Sequence, residues 1–464
     1  MYMSEVVLSE SLAYASVKKR SVAARSFRVK IAPSNGATFA ADQTIQLDLA
    51  GNLQNQYYDF SSLYLKFRLQ CDLAMSLDRP AAYGLFKRLQ ISTAGSNIAD
   101  VQNWNVLCAA MLDTQASQQW LAGYGNICAG TLGDSLRGVS QAAGAGGARD
   151  YCIALPLNPL FNTTGHRLIP AFALSGLTIR LTIDSAAVPV VVAGAADPVL
   201  ALSNVELCCM MTELSGPAQE MVDRACGGKY QILANSFMNS TAQLAANSTQ
   251  LTANLGFSVS SLERIIAVHR QTTTIADRNA YSLGHRTTSG LESFKYLINA
   301  EAYPQRDVVV GTNGAESTSE MLISEHAMID FSKGSALSNG VALTTATSPS
   351  LVGSLSGVAP NIVKSGCFML KDGTGLTAGV AVVGATAAVP SDIGTFMVST
   401  DFENGLSVGK SSSIYSGVST IASNVQFLGN YNNVHAAAQV DFFAVFSVLM
   451  SLDTRGSGVW QISV

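Results

Sequence analysis

Tyr57-Tyr58-Asp59-Phe60-Ser61-Ser62-Leu63-Tyr64-Leu65-Lys66-Phe67-Arg68-Leu69-Gln70 opens the stretch that decides the fold. It resumes after a polar loop as Leu85-Phe86-Lys87-Arg88-Leu89-Gln90-Ile91-Ser92 and closes at Asn103-Trp104-Asn105. From Leu63 to Leu69 every odd position is aliphatic or aromatic, and the even positions are Tyr, Lys, Arg and Gln. A period of two places Leu63, Leu65, Phe67 and Leu69 on one face of a strand and the polar set on the other. Beyond the loop around Asp78-Arg79-Pro80, the same period puts Leu85, Leu89 and Ile91 on one face and Phe86, Arg88, Gln90 and Ser92 on the opposite one. Lys87 is the exception on the apolar side. The pattern is half-buried sheet, and nothing in it belongs to catalysis.

Working outward, the segment Phe27 to Leu49 reads as strands around a Pro33-Ser34-Asn35-Gly36 turn, with clean alternation from Thr44 to Leu49. Asp100 is placed to cap a helix in which Val101, Trp104, Cys108 and Leu112 recur at helical spacing. Leu177 to Asp184 alternates cleanly, and Val205 to Leu214 is a further strand. Residues 123–150, 186–201 and 334–394 are rich in Gly, Ala, Ser and Thr and read as loops. Ser215-Gly216-Pro217 opens a short helical patch, with Pro suited to a first turn, and Cys226-Gly227-Gly228 stops it. That patch is the expected boundary, because strand signals start afresh at Lys229.

The second half repeats the style of the first. Tyr230 to Ser240, Gln250 to Arg270, Phe294 to Ala302 and Phe396 to Thr400 read as strands, the third closed by Tyr303-Pro304. Asp441 to Leu452 is apolar on both faces, as a central strand is. Many strands, few helices and long loops in each half predict two all-β sandwiches or barrels in tandem.

Composition narrows the function classes. Of 464 residues, 48% are hydrophobic and only 13% charged, against roughly 25% charged in an ordinary soluble protein. Mean hydropathy is +0.25, yet no apolar run reaches the ~20 residues a membrane helix needs. Such a chain is expected to hide surface by obligate assembly, since obligate interfaces resemble a core cut in half. Net charge is −4, which does not attract nucleic acid to the chain as a whole. The beginning of the chain, with Glu5 and Glu10 and no basic start before an apolar block, does not read as a signal peptide. Residues 1–17 could form a short amphipathic helix. Behind it Lys18, Lys19, Arg20 and Arg25 make the densest basic cluster, either a solvated arm or one that touches an anionic surface.

No constellation for chemistry emerges. The five histidines, His166, His269, His285, His326 and His435, form no metal-like pair, and the eight cysteines contain no C-x-x-C. Cys208 and Cys209 are adjacent, so in a strand they point to opposite faces and cannot share a metal. The expectation is free thiols in a reducing compartment. Asn404 to Ser411 imitates a phosphate loop, but Asn stands where its first glycine is needed and the context is β. No metal, cofactor, catalytic residue or small-molecule substrate is assigned.

In order along the chain, these motifs resemble the double jelly-roll major capsid proteins of tailless icosahedral DNA viruses, particularly the adintovirus and polinton-like branch. The resemblance is carried by Tyr57–Leu69, Leu85–Leu107, Gly165–Ile183 (GHRLIPAFALSGLTIRLTI) and Asn204–Val222 (NVELCCMMTELSGPAQEMV). In the second half it is carried by Ser261–Arg270 (SLERIIAVHR), Gly290–Pro304 (GLESFKYLINAEAYP) and Phe442–Ile462 (FFAVFSVLMSLDTRGSGVWQI). It implies two eight-stranded jelly rolls, 26–216 and 229–464, joined by a linker at 217–228 and preceded by an arm at 1–25. It implies a structural, non-enzymatic protein of the virion, made in the host cell, whose homotrimers form pseudo-hexagonal capsomers tiling an icosahedral shell. The implied partners are neighbouring capsomers and penton and minor capsid proteins. The arm, through Lys18, Lys19, Arg20 and Arg25, would face inward toward an internal membrane or the genome. The competing class is a tandem β-sandwich carbohydrate-binding or adhesion module. Such a module usually shows exposed aromatic platforms or acidic calcium loops, which three tryptophans and scattered acids do not suggest.

Overall fold

The computed structural model describes residues 24–51, 53, 55–93, 96–132, 137–160, 168–173, 176–192, 197–275, 277, 281–284, 286–310, 315–324, 393–394, 396–402, 417–453 and 460–463. The helix expected over 1–17, residues Lys18, Lys19 and Arg20, the loop residues 334–392 and the phosphate-loop imitation at 404–411 lie outside them. The chain begins with β1 (Ala24–Ile31), β2 (Thr38–Ala40), β3 (Thr44–Leu49), β4 (Gln56–Cys71), β5 (Met75–Asp78), β6 (Phe86–Thr93) and β7 (Ser96–Gln102). Helices α1 (Trp104–Gln115), α2 (Gln118–Ala122) and α3 (Tyr124–Ala129) follow. Next come β8 (Arg137–Gln141), β9 (Arg149–Ile153), β10 (Ile169–Pro170), β11 (Leu177–Ile183), β12 (Val190–Val192) and β13 (Leu200–Leu214). Helix α4 (Gly216–Cys226) leads to β14 (Lys229–Leu244), β15 (Gln250–Asn254), β16 (Leu262–Gln271), β17 (Arg286–Thr287), β18 (Leu291–Ile298) and β19 (Glu301–Val309). After α5 (Ala315–Ser324) come β20 (Ile393–Gly394), β21 (Val398–Asp401), β22 (Val425–Tyr431), β23 (Ala438–Asp453) and β24 (Trp460–Ser463).

Strand pairing reveals a duplication. In the first half one sheet runs β1-β13-β4, with β9 and β10 on the far side of β4, and a second runs β3-β11-β6-β7. In the second half the sheets run β14-β23-β16-β21 and β15-β22-β18-β19. Letter the strands B to I in chain order as β1, β3, β4, β6, β7, β9, β11 and β13. In the second half the letters fall on β14, β15, β16, β18, β19, β21, β22 and β23. Both halves then read B-I-D-G and C-H-E-F, the permutation of a jelly roll. The chain is a double jelly roll, and a helix follows strand F in each half.

Alternation explains which faces meet. Leu63, Leu65, Phe67 and Leu69 of β4 are buried, as are Ile45, Leu47 and Leu49 of β3 and Leu177, Ile179, Leu181 and Ile183 of β11. Each such side chain contributes about 1.5–3 kcal/mol when removed from water. Across the first roll, Phe67 of β4 meets Phe86 of β6 edge-on at 5.7 Å. That contact contradicts the strict period expected for β6. Opposite Thr182 and Ile183 the register jumps from Arg88 to Phe86, so Lys87 is the extra residue of a β-bulge. The bulge sends Lys87 to solvent and turns Phe86 inward.

Other expectations are corrected by pairing at long range. Asp100 caps no helix: it lies in β7 opposite Gln90, and its carboxylate takes both Nε and Nη2 of Arg88, at 2.7 and 2.5 Å. The helix is present, but its N-cap is Asn103 in a left-handed conformation. The supposed loop 123–150 holds α3, β8 and the start of β9, because β5 and β4 recruit those segments as partners. Likewise 186–201 contains β12, paired with β5. Phe294 to Ala302 is not one strand. Asn299 and Ala300, at φ 51° and 71°, turn the chain into a two-residue hairpin between β18 and β19.

Candidate functional site, the seam between the two rolls

The linker helix is held to both rolls. Pro217 stands in its first turn, and Gly227 ends it at φ 62°, a conformation that glycine adopts without steric cost. Tyr57 of β4 donates to Gln219 Oε1 at 2.8 Å, Tyr230 of β14 donates to Asp223 Oδ1 at 2.5 Å, and Gln219 Nε2 reaches the same carboxylate at 2.9 Å. Phe172 packs edge-on against both tyrosines at 5.7 Å. One hydrogen-bonded cluster therefore ties strand D of the first roll to strand B of the second.

Deeper in the seam, charge is buried. Arg79 follows β5, Asp113 lies in α1 and Arg286 opens β17. Arg79 Nε donates to Asp113 Oδ1 at 2.9 Å, and its Nη1 donates to the carbonyl of Leu132 at 2.9 Å. The other carboxylate oxygen of Asp113 accepts from Nη2 of Arg286, which crosses from the second roll. The three side chains are at most 2% exposed. Burial pulls the Arg286 guanidinium below its ordinary range, against the opposing pull of Asp113.

Beside them Asp78 accepts from the backbone N–H groups of Leu283 and Gly284, at 2.7 and 2.9 Å, and from that of Arg79 at 2.6 Å. Burial pushes its carboxyl up to about 7, against the pull of those three donors and of the Arg270 charge. A second carboxylate works from the other side. Asp441, at the end of the apolar β23, binds Arg270 Nε and Nη2 at 3.0 and 2.7 Å. Its Oδ1 accepts from Asn103 of the first roll at 3.0 Å and from Thr241 at 3.0 Å. Such pairs contribute less to net stability than to a fixed arrangement of the partners, since water is given up by every charge.

His269 lies behind Asp441 in the second roll, fully buried, with Nε2 at 2.9 Å from the Tyr431 hydroxyl. Burial lowers its pKa from 6.5 to about 3; Asp441 pulls the other way. Below pH 6.5 the unfolded chain takes up a proton here that the folded chain refuses, so this histidine removes stability as pH falls toward 3. Asp78 acts oppositely: between 3.8 and about 7 the folded chain holds a proton the unfolded chain lacks, so stability rises as pH falls. His269→Gln is expected to leave only the second effect. Compared with the parent, its unfolding free energy should gain about 1 kcal/mol for each pH unit lowered between pH 6 and 4. Urea titrations at several pH values measure this, and parallel curves for the two proteins would refute it.

The residues nominated from sequence do not form this site. Arg25 sits in β1, exposed, with Nε 2.7 Å from Glu213 and its guanidinium 5.5 Å above the Phe27 ring. His435 bonds the carbonyl of Ser248 at 2.8 Å, and His166, His285 and His326 lie outside the described residues. Cys208 and Cys209 are buried, and the thiols of the described cysteines are free. Among the described residues no group of three or more His, Cys, Asp or Glu could hold a metal ion, and no helix is long and apolar enough to cross a membrane.

Two jelly rolls in one chain, fixed side by side by buried ion pairs, define the architectural class. Solved structures that share it over nearly the whole chain are viral capsid proteins. PBCV-1 VP54, fitted into a reconstruction of the virophage Sputnik, superposes with a TM-score of 0.59 at 10% identity, covering 97% of this chain and 99% of that one. The Faustovirus major capsid protein gives 0.57 at 9% identity over 94% and 92%. The mavirus major capsid protein gives 0.52 at 12% over 100% and 96%. At these identities the likeness is one of fold. No protein-family model and no curated protein matches the chain.

Proposed function

We propose that this protein is the major capsid protein of an icosahedral virus. Its homotrimers form pseudo-hexagonal capsomers that pack against neighbouring capsomers and against penton and minor capsid proteins. The observation that carries the proposal is the duplicated B-I-D-G and C-H-E-F sheet pair within one chain, matched end to end by capsid proteins. The apolar, charge-poor composition supports it, because extensive interfaces give that surface somewhere to go. In this reading the protein is structural, works in the virion and takes no small-molecule substrate. We take 26–216 and 229–464 as the two rolls, 217–228 as the linker and 1–25 as the arm. The change of sheet partners between β13 and β14 supports that division. Lys18, Lys19, Arg20 and Arg25 are assigned to the capsomer base, facing a membrane or the genome.

Light scattering on the purified full chain tests the proposal. The expected species has three times the 48.6 kDa chain mass, persists on dilution and gives hexagonal sheets or shells when concentrated. A monomer at every concentration, with clear hits on a glycan array, would instead select the adhesion-module reading.

A further inference from the structure

Within the chain, the two rolls meet through unlike edges. Strand F of the first roll, β7, packs against strand B of the second, β14, and also against β24. Asn103, just beyond β7, reaches Asp441 and, at 3.5 Å, Asn239 of β14. Both β7 and β14 are edge strands of their own sheets. The contact leaves the complementary pair of edges unused: strand B of the first roll, β1, and strand F of the second, β19. Among the described residues neither has a strand on its outer side. β1 is exposed or half-exposed along its whole length, and so is nearly all of β19. The difference between the two F edges is large. Ile98, Ala99 and Val101 of β7 are at most 6% exposed, whereas Val309 of β19 is 49% exposed and Ile323 of the adjoining α5 is 43% exposed.

We infer that the β18–β19 hairpin and α5 of one protomer dock against β1 of the next, repeating between chains the contact that joins the two rolls within a chain. The inference rests on the capsomer reading for the closure of three chains into a ring, and it specifies which surfaces close it. The two leftover edges occupy the same fold positions as the two that already meet, so the same geometry is available to them. A heterologous contact of this kind makes rings when its rotation closes. Charge complements shape. β1 presents Arg25, Arg28 and Lys30, which are matched only in part by Glu213 and Glu206 of β13. The hairpin and α5 present Glu292, Glu301, Asp307, Glu316 and Glu320 against Lys295 and Arg306. The excess is acidic even after Lys295 pairs with Asp307 and Arg306 with Glu316. Glu320 feels it: burial first, then the charges of Glu316 and Asp401, raise its pKa. Opposed patches steer partners and suppress wrong registers, and covering both edges removes two templates for open-ended strand addition.

Full-length chains, one batch isotopically heavy and one light, are dissociated, mixed and reassembled. A carbodiimide then joins lysines to carboxylates in direct contact, and mass spectrometry identifies mixed-isotope links. The expected links run from Lys30 to Glu301, Asp307, Glu316 or Glu320. Val309→Lys and Ile323→Lys, at exposed positions that leave the fold intact, should each raise the concentration for half-assembly about tenfold or more without moving the urea midpoint of the monomer. A trimer whose mixed links join hairpin to hairpin or β1 to β1, or one that both variants form as readily as the parent, overturns this inference and leaves the capsomer reading standing. A parent that stays monomeric overturns both.

Discussion

Asp113→Ala is expected to destabilise the protein by about 3–5 kcal/mol, the usual cost of stranding a buried charge. Two guanidiniums share this one carboxylate, and all three groups are at most 2% exposed. Removing it leaves Arg79 with the Leu132 carbonyl and leaves Arg286 without its counter-charge, in a place where burial already depresses its pKa. The surrounding side chains cannot supply a replacement: Asp78 lies close, but its oxygens already take the N–H groups of Arg79, Leu283 and Gly284. Urea denaturation at neutral pH measures the loss, and a change below about 1 kcal/mol would mean that water reaches the triad. A control separates charge stranding from packing. In the combined variant Arg79→Met, Asp113→Leu, Arg286→Met no charge is stranded, so most of the lost stability should return. What the apolar variant should lose is the preference for one placement of the rolls, visible as slower or less complete assembly.

The contrast between sheet and seam shows what a linear reading can reach. The β4 pattern is legible because one face of a strand is written at every second residue, and Leu63 to Leu69 are buried as the period demands. The same rule fails at Phe86, since the bulge that turns it inward is set by β11, about a hundred residues further on. It also fails for β8, where Gly and Ser leave little alternation to see and β5 supplies the pairing. The α4 boundary was legible from Pro217 and the glycines after Cys226, because turn chemistry is local. The seam was not. Arg79, Asp113 and Arg286 come from three separate segments with no motif spacing, and Asn103 meets Asp441 across 338 positions. Its trace in the sequence is slight: single charges set into apolar runs, such as Asp441 before Phe442-Phe443-Ala444-Val445-Phe446. A charge in such a place needs a buried partner, but the sequence does not say which.

Phe427→Ala tests the core with an effect of similar size, about 3–5 kcal/mol for a large aromatic cut back to a methyl. Phe427 is fully buried in strand H of the second roll. Its ring lies 4.9 Å from Phe442 of strand I, 5.3 Å from Tyr296 and 6.2 Å from Phe294 of strand E. Phe442 belongs to the opposite sheet, so this ring is where B-I-D-G and C-H-E-F touch. The cavity is hard to refill because Phe294, Tyr296 and Phe442 sit on paired strands that cannot close inward without breaking their ladders. The form of the transition carries further information. The α4 cluster and the Asp113 and Asp441 networks join the rolls, so a weakened second roll should withdraw support from the first. One unfolding transition at a lower urea midpoint is therefore expected. If the first roll unfolds at the parental midpoint while the second unfolds early, the seam does not couple the rolls, and its buried charges serve only to set their placement.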